Sequence, residues 1–266
     1  MMNVNGTTMG NVMRTILATL LLASAPAAAQ TATQPNMTGP AAVTGYLAPR
    51  PPQSLLRLLP PPPEAGSPEA LAEARMYRES RRGIGGPQWQ RAVGQLSVTS
   101  PAFVQQLSCA LGAKIGPETT PATMAILRRA GADLSPAINA AKAYYKRPRP
   151  FTNDGGKACD PDSAVDGGKA LGYSYPSGHA AVGWLWGLIL AEIRPERSAQ
   201  LLHFGKETGD LRMACRVHYL SDVTHGRLFA TALYQAIADH TDYKADVGKA
   251  AAELSLAPVP EGCPVS

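Results

Sequence analysis

A serine or threonine followed directly by proline precedes four segments of the chain that are compatible with helix. These pairs are Ser67-Pro68, Ser100-Pro101, Thr120-Pro121 and Ser135-Pro136. In such a pair the hydroxyl oxygen can cap a helix N-terminus, and the proline ring presets the backbone angle of the first helical position. The predicted helices cover residues 68–82, 101–111, 121–130 and 136–146.

The second half of the chain contains one long apolar segment, Gly178–Ile193. This segment is charged only at Glu192 and is followed by Pro195. Its length is too short for a membrane span and is typical of a buried central helix. Further helices are expected over 196–213 and 221–239, and alternating strand patterns are scarce. The sequence therefore predicts an all-α, single-domain helical bundle with a buried central apolar helix and with its site residues on loops.

The N-terminal region has a different composition from the rest. Residues 1–29 carry a single positive charge, then an apolar run, and end in three alanines, an order typical of a secretory signal cleaved near Ala29. Met13 is an alternative start that gives a signal of more usual length. Residues 30–66 are rich in proline and are expected to form an extended or disordered strap. Residues 67–266 are expected to form the helical domain of a periplasmic or secreted protein.

Charge and cysteine content exclude several classes of site. The net charge of +5 is a small excess, and the basic residues are not interleaved with aromatic ones, so nucleic-acid binding is not expected. An exported chain with four cysteines is expected to form one or two disulfides. The cysteines are Cys109, Cys159, Cys215 and Cys263, and their spacing leaves all three full pairings open. Because no CxxC occurs, a zinc site built from cysteine is not expected.

The first polar cluster is the segment Lys142-Ala-Tyr-Tyr-Lys-Arg-Pro-Arg149-Pro150. Pro148 disfavours helix at the residue before it, so the preceding helix should end near Lys146. Arg149 can then turn back toward the face that carries Lys142, and two cations would face one cavity. The alternative is a solvated basic helix end that interacts favourably with the helix dipole.

The second cluster, Pro176-Ser177-Gly178-His179, stands immediately before the apolar helix. Ser177 occupies the expected N-cap position, and Gly178 lets an anion approach the free backbone N–H groups at the positive end of the helix. His179 would then lie within reach of a leaving-group oxygen. The alternative is an ordinary capped helix start with a histidine on the surface.

The third cluster contains Arg212, His218 and Asp222. His218 and Asp222 are four residues apart, so at a helix start the carboxylate can accept a hydrogen bond from one imidazole nitrogen and leave the other free as a nucleophile. Arg212 adds a third cation. Read alone, the histidine and aspartate could equally be a structural hydrogen-bonded pair.

Together the three clusters resemble the signature of the type 2 phosphatidic acid phosphatase superfamily, which also includes vanadium haloperoxidases. The matching residues are Lys142, Arg149, Pro150, Pro176, Ser177, Gly178, His179, Arg212, His218 and Asp222. The wider sequence, over residues 75–240, is most similar to the bacterial class A non-specific acid phosphatases, which are exported soluble enzymes. One position differs, because Leu211 stands where the family usually has serine. This change removes one hydrogen bond that serine could make near the phosphate.

The resemblance implies a two-step phosphate transfer. His218 would attack phosphorus to give a phosphohistidine, and His179 would protonate the leaving oxygen and then activate water, while Asp222 orients His218. The residues implied to bind phosphate are Lys142, Arg149, Ser177, Gly178 and Arg212. No cofactor is implied.

The expected function is thus that of an exported, metal-independent acid phosphatase. Its substrates would be small-molecule phosphomonoesters of broad range, with phosphate transfer to alcohols as an additional activity. No membrane span is expected in the mature chain, and homo-oligomerisation is left open. The alternatives are a vanadate-dependent haloperoxidase, a lipid phosphate phosphatase and a phosphate-binding module without turnover. A metal hydrolase using His179, His218, Asp222 and His225 is a further alternative, although three converging cations would repel a divalent metal.

Overall fold

The computed structural model describes residues 43–48 and 56–263 of the chain, which form α-helices and no β-strand. The helices are α1 (Pro68–Glu79), α2 (Pro87–Gly94), α3 (Pro101–Leu111), α4 (Pro121–Tyr145), α5 (Gly178–Ile193), α6 (Ser198–Ala214), α7 (Leu220–Ala238) and α8 (Thr241–Leu254). Short 3₁₀ turns occur at Ser80–Gly83, Pro150–Asn153, Pro161–Ala164, Asp166–Leu171 and Pro195–Arg197. The all-α prediction is confirmed, but several site residues that were expected on loops lie on helix ends, namely Lys142, His179, Arg212 and Asp222. The predicted secretory signal lies outside the described residues.

Two of the four predicted serine or threonine caps are present as expected. Ser67 accepts a hydrogen bond from the backbone N–H of Ala70, and Ser100 accepts one from Phe103. Thr120 was expected to cap α4 in the same way, but it has no side-chain capping bond to that helix.

The start of α4 is capped from a distant part of the chain. The Glu253 carboxylate of α8 accepts the backbone N–H groups of Ala122 and Thr123, both at 2.8 Å. The Thr120 hydroxyl oxygen instead accepts the Gly116 N–H at 3.0 Å. A carboxylate satisfies the free N–H groups and also matches the positive end of the helix dipole.

The prediction of a helix start at Ser135-Pro136 is wrong. Pro136 lies inside α4, which runs without interruption for 25 residues. A proline in a helix interior removes one backbone hydrogen bond and costs about 3 kcal/mol. Leu134, Ala137, Ile138 and Ala141 are all buried beside it. Apolar burial on both sides of the proline therefore offsets the local cost and keeps the helix continuous.

Helix α5 is the buried centre of the bundle, as predicted, and it packs closely against α6. A Cβ atom added to Gly205 of α6 would lie 2.8 Å from the carbonyl oxygen of Gly183, and one added to Gly187 would lie 2.9 Å from that of Leu201. Only glycine allows the two backbones to approach so closely. The short Pro195–Arg197 connection makes the helices antiparallel, so the start of α5 meets the end of α6.

The same end of the bundle contains further helix termini. A five-residue turn after α6 leads into α7, and the backbone N–H of Ser177 donates to the Asp222 carbonyl oxygen at 2.9 Å. This bond joins the start of α5 to the start of α7. Their N-termini, with the C-termini of α4 and α6, therefore surround one region, into which two helix dipoles direct their positive ends.

Two disulfides are formed, Cys109–Cys263 and Cys159–Cys215. The first joins α3 to the C-terminal segment. The second attaches the long loop between α4 and α5 to the residue that follows α6. The long loop is therefore covalently fixed beside the turn that carries the third polar cluster.

Segments of the predicted strap contact the helices. Tyr46 is buried, and its backbone N–H donates to the Asp133 carboxylate at 2.7 Å. The Leu59 side chain is part of the main apolar core. Residues 30–42 and 49–55 of the strap lie outside the described part of the chain. None of the helices described has the length and apolar content needed to cross a bilayer.

Candidate active site

The third cluster lies at the start of α7. His218 is in the turn before the helix, and Asp222 is its third residue. One oxygen of the fully buried Asp222 carboxylate, Oδ2, accepts the backbone N–H of Tyr219 at 2.9 Å and lies 3.2 Å from His218 Nδ1. Asp222 therefore caps the helix and contacts the imidazole with the same oxygen.

The neighbours of His218 determine which nitrogen carries its proton. Arg149 Nη1 lies 3.2 Å from His218 Nε2. A guanidinium can only donate, so Nε2 must be the acceptor, and Nδ1 then donates to Asp222. Burial, followed by the nearby cation of Arg149, holds the pKa of His218 well below its usual range. The imidazole is therefore neutral, with an unshared electron pair on Nε2.

Arg212, in the last turn of α6, is a buried cation with unused donors. Its side chain is 3% exposed, and its Nε and Nη1 have no hydrogen-bond partner among the described residues. The Asp160 carboxylate is 3.9 Å from Nη2. Burial lowers the pKa of Arg212 to about 10, so the guanidinium remains charged at neutral pH. Unpaired buried donors of this kind are costly unless an anion binds to them.

The other two predicted phosphate-binding cations contact backbone carbonyls. Arg149 donates to the carbonyl oxygens of Leu171, Gly172 and Val217, at 2.6, 3.0 and 3.0 Å. These bonds fix the guanidinium against the end of the long loop, with one N–H directed at His218. Burial lowers the pKa of Arg149 to about 10, so it too stays charged.

Lys142 lies in the last turn of α4, which ends at Tyr145 as the sequence predicted. Its ammonium donates to the carbonyl oxygens of Tyr173 and Ser174. Burial, and then the Arg149 cation, lower the pKa of Lys142 to about 7. An ammonium has three donors, so one remains for an anion. Both cations thus hold the segment that leads into the second cluster.

The second cluster caps α5 as predicted. The buried Ser177 hydroxyl oxygen accepts the Ala180 N–H at 3.3 Å. A Cβ atom on Gly178 would make only an ordinary contact, 3.7 Å from Ile138. Packing within the protein therefore does not require glycine at this position, and the open side of the helix start is available for an anion.

His179 is held by a contact that the sequence did not reveal. Its Nε2 lies 3.0 Å from the carbonyl oxygen of Leu96, which can only accept, so Nε2 carries a proton and Nδ1 is left for proton transfer. Burial, and then the cation of Arg212, lower the pKa of His179 to about 3. This imidazole is therefore neutral at mildly acidic pH.

The structure brings the predicted site residues of the three clusters to one end of the bundle. Leu211 is buried in an apolar cluster with Phe151 and Val217, beside the Cys159–Cys215 disulfide. His225 contacts the Tyr175 hydroxyl at 2.8 Å through Nδ1. Among the described residues, no group of three or more His, Cys, Asp or Glu side chains is arranged to hold a metal ion.

A separate cavity of about 510 Å³ borders the site from the side of α1 and α6. Among the predicted site residues only His218 lines it, together with groups such as Glu73, Met76 and Leu211. This cavity is therefore not where the cations converge.

Known proteins are similar to this chain over the part that contains the three clusters. Residues 124–244, which include all three clusters, match the PAP2 superfamily. The non-specific acid phosphatase of Salmonella typhimurium is 32% identical over 74% of this chain and 78% of its own length. The chain belongs to the PAP2 superfamily. An acid phosphatase of Zymomonas mobilis is 30% identical over 76% of each chain, and the Providencia stuartii non-specific acid phosphatase is 32% identical over 75% of this chain and 80% of its own.

These similarities confirm the family recognised from the three clusters and its likeness to acid phosphatases. The sequence did not reveal three polar groups beside the site: Glu73, Arg147 and Asp160. Arg147 lies within the first cluster, where its spacing from Lys142 gives no signal of its own. Glu73 is on α1, before the residues that match the superfamily.

Proposed function

We propose that the chain is an exported acid phosphatase that hydrolyses small phosphomonoesters through a phosphohistidine on His218. The observation that carries the proposal is the buried Arg212 guanidinium, whose Nε and Nη1 lack partners among the described residues. A phosphate group supplies the charge and the acceptor oxygens that this guanidinium lacks. The acid phosphatase relatives favour ester hydrolysis over the haloperoxidase alternative.

His218 is suited to the role of nucleophile. Its Nε2 holds an electron pair, and the Asp222 carboxylate stabilises the positive charge that develops on the ring during attack. A bond forms between Nε2 and phosphorus as the bond to the leaving oxygen breaks. Arg149, which contacts Nε2 when no phosphate is bound, donates to a phosphate oxygen instead. Arg212 and Lys142 bind the negative charge that develops on the phosphate oxygens.

His179 is proposed to protonate the leaving oxygen through Nδ1. Burial, and then the Arg212 cation, lower its pKa to about 3, which is too low for a general acid at mildly acidic pH. A bound phosphomonoester offsets the cations that contribute to this low value. The substrate thereby raises the pKa of His179 and charges the acid only when it is needed. In the second step the neutral imidazole accepts a proton from water, which attacks the phosphohistidine.

Export is supported by the two disulfides, because such bonds persist mainly in oxidising compartments. We propose that residues 1–29 are a secretory signal, 30–66 a strap and 67–266 the catalytic domain. The accepting water in the second step could be replaced by an alcohol, which would give phosphate transfer. A broad substrate range would follow because the proposed contacts all concern the phosphate.

The test is to trap the covalent intermediate. The mature protein is mixed with a ³²P-labelled phosphomonoester and quenched in alkali, which preserves phosphohistidine. We expect label on a peptide that contains His218 and none on the H218A variant, whose turnover should fall by about 10⁴-fold or more. H203Q, altered on the surface of α6, is the control and should label normally. Label that persists in H218A would overturn the assignment of the nucleophile.

A further inference from the structure

The Asp222 carboxylate has a second polar partner that the proposed mechanism does not use. Its Oδ1 accepts a hydrogen bond from Arg147 Nη1 at 2.6 Å, while Oδ2 faces His218. The same Nη1 donates to the Ser221 hydroxyl at 2.8 Å. The guanidinium also lies over the Tyr219 ring, 4.1 Å from its centroid. These contacts allow the Arg147 side chain little freedom to move.

The other end of the guanidinium is held by α1. Arg147 Nη2 donates to Glu73 Oε2 at 2.7 Å, and Glu73 Oε1 accepts the backbone N–H of Ser221. Glu73 is 6% exposed, although it lies on a helix that is otherwise mostly exposed. Its two oxygens therefore link Arg147 to one of the free N–H groups at the start of α7. A buried carboxylate on such a surface helix requires these partners.

We propose that Arg147, held in place by Glu73, is a positioning residue that keeps the Asp222 carboxylate oriented to accept the hydrogen bond from His218 Nδ1–H. Neither residue touches the reacting atoms. This inference rests on the proposed function, because it assigns the two residues a part in that reaction. It also extends the machinery to α1, which lies before the residues that match the PAP2 superfamily.

Charge supports the same role. Burial raises the pKa of Asp222, and the Arg147 cation opposes that rise. Burial also lowers the pKa of Arg147, but the Asp222 and Glu73 carboxylates outweigh it, so the guanidinium stays charged. The charged and titratable groups around Asp222 are Arg147, Glu73, His218, Tyr219, Tyr175, Lys142 and Arg149. Among them only Arg147 bonds directly to Oδ1 with a full positive charge.

Loss of this cation has a definite consequence for pH dependence. An Asp222 carboxyl with a raised pKa takes up a proton at a higher pH, and a protonated carboxyl accepts the Nδ1–H bond poorly. The neutral carboxyl then no longer stabilises the positive charge that develops on the imidazole during attack, and activity is lost on the acidic side. Removing one neighbouring charge shifts a pKa by about 1 to 3. If Arg147 had a merely structural role, its replacement would lower stability without shifting the acidic limb of the pH profile.

The experiment compares the pH profile of kcat/KM for the full chain and three variants. In R147Q we expect the acidic limb to move up by at least about 1 pH unit. R147K keeps the charge but cannot contact Asp222 and Glu73 at the same time. The acidic limb should therefore stay near its original pH, while kcat falls. R129Q is the matched control, because Arg129 also bonds to a carboxylate but lies in a cluster with α8. It should leave the profile unchanged.

A second readout keeps failure of this inference distinct from failure of the proposed function. With ¹⁵N-labelled histidine, the His218 Nδ1–H resonance reports its bond to Asp222 without turnover. The positioning role is overturned if an active R147Q enzyme has an unchanged pH profile. It is also overturned if the Nδ1–H resonance of R147Q changes with pH at the same midpoint as in the original chain. An inactive original chain in which R147Q still raises the midpoint overturns the phosphatase function but supports the positioning.

A fourth variant covers the case in which R147Q does not fold. E73Q keeps an oxygen for the Ser221 N–H and removes an anion that raises the pKa of Asp222. We expect the pH midpoint of the Nδ1–H resonance to move down in E73Q, opposite to R147Q. A midpoint unchanged from that of the original chain overturns the coupling between Glu73, Arg147 and Asp222.

Discussion

Two arginine clusters at different places in the bundle use the same side chain in opposite ways. Arg129 of α4 bonds to Asp246 at 2.7 Å, lies 3.5 Å from Asp242, and rests over the Tyr46 ring at 4.0 Å. Arg212 of α6 is far more buried, at 3% exposure, yet two of its nitrogens have no partner in the described structure. One cation is neutralised by the fold, whereas the other is left for a ligand.

The difference separates a structural contact from a binding site. Removing a charge from water costs several kcal/mol unless a partner compensates for it. The bonds of Arg129 provide this compensation within the folded chain. Around Arg212 the Asp160 carboxylate comes only within 3.9 Å of Nη2. Arg149, Lys142 and the start of α5 increase the positive potential. This concentration of buried positive charge is destabilising by itself, and binding of an anion relieves that cost.

The sharpest test of this comparison exchanges each arginine for methionine. R212M should lower kcat/KM by about 10³-fold, because a charged donor to the transferring phosphoryl group is lost. Its thermal stability should stay equal or rise, because an uncompensated buried charge is removed. Steady-state kinetics and thermal unfolding of the same preparations provide both values.

R129M provides the matched control and should show the reverse pattern. It leaves Asp246 without its arginine, so we expect a loss of about 1 to 3 kcal/mol in the free energy of unfolding. Activity should stay within about twofold, since Arg129 is not among the groups around the phosphate pocket. A stability loss in R212M as large as that in R129M would contradict the contrast between the two clusters.

A smaller effect is expected in the protonation of His179. Burial, and then the Arg212 cation, lower its pKa to about 3, so at pH 5 the imidazole is neutral. Sulfate remains a dianion at that pH and offsets the neighbouring cations, which raises the pKa toward its usual value. Binding should therefore take up a proton, up to about one per site, and affinity should rise as the pH falls. Calorimetry in buffers of different ionisation enthalpy measures the uptake.

The choice of pH and variant isolates this histidine. Lys142, with a pKa of about 7, is already protonated at pH 5 and adds no uptake. H179Q keeps a donor for the Leu96 carbonyl but should bind sulfate without the proton, whereas H203Q should retain the uptake. Sulfate binding with no linked proton in the original chain would show that the cations do not control the His179 pKa.

Local chemistry explains which features the sequence could predict. Ser67, Ser100 and Ser177 cap helices because the acceptor is adjacent to the N–H groups that it satisfies. The end of α4 before Pro148 follows from the same kind of short-range restriction. The signature residues were recognisable because their spacing within each cluster is short.

Long-range contacts explain what the sequence could not predict. The capping of α4 by Glu253 and the continuation of that helix through Pro136 both depend on tertiary packing. Glu73 is linked to Asp222 through Arg147, yet it is 149 residues away along the chain and carries no local pattern that points to the site. The anchoring of Tyr46 by Asp133 is of the same kind, because a proline-rich composition indicates an extended chain but not where it binds.

The smallest effect on activity is expected from a change that tests the anchoring of Tyr46, which belongs to the structural cluster around Arg129. A Cβ atom on Gly45 would lie 2.0 Å from Asp133 Oδ1, so G45A must displace the carboxylate that accepts the backbone N–H groups of Tyr46 and Leu47. We expect the free energy of unfolding to fall by about 1 to 3 kcal/mol in a denaturant titration, with kcat within about twofold of the original.

Helix α4, which carries Asp133, offers a control for the added methyl group. Gly131 of α4 has open space around an added Cβ, so G131A should raise stability by up to about 1 kcal/mol through helix propensity. A G45A protein as stable as the original would show that the Asp133 contact does not hold the strap. A large fall in kcat would instead couple the strap to the site, through the Pro60 carbonyl that accepts the Tyr175 hydroxyl next to the second cluster. Arg129 rests on the Tyr46 ring, so the anchored Tyr46 is part of the Arg129 cluster. Unchanged turnover in G45A would show that the Arg129 cluster is structural, in contrast to Arg212.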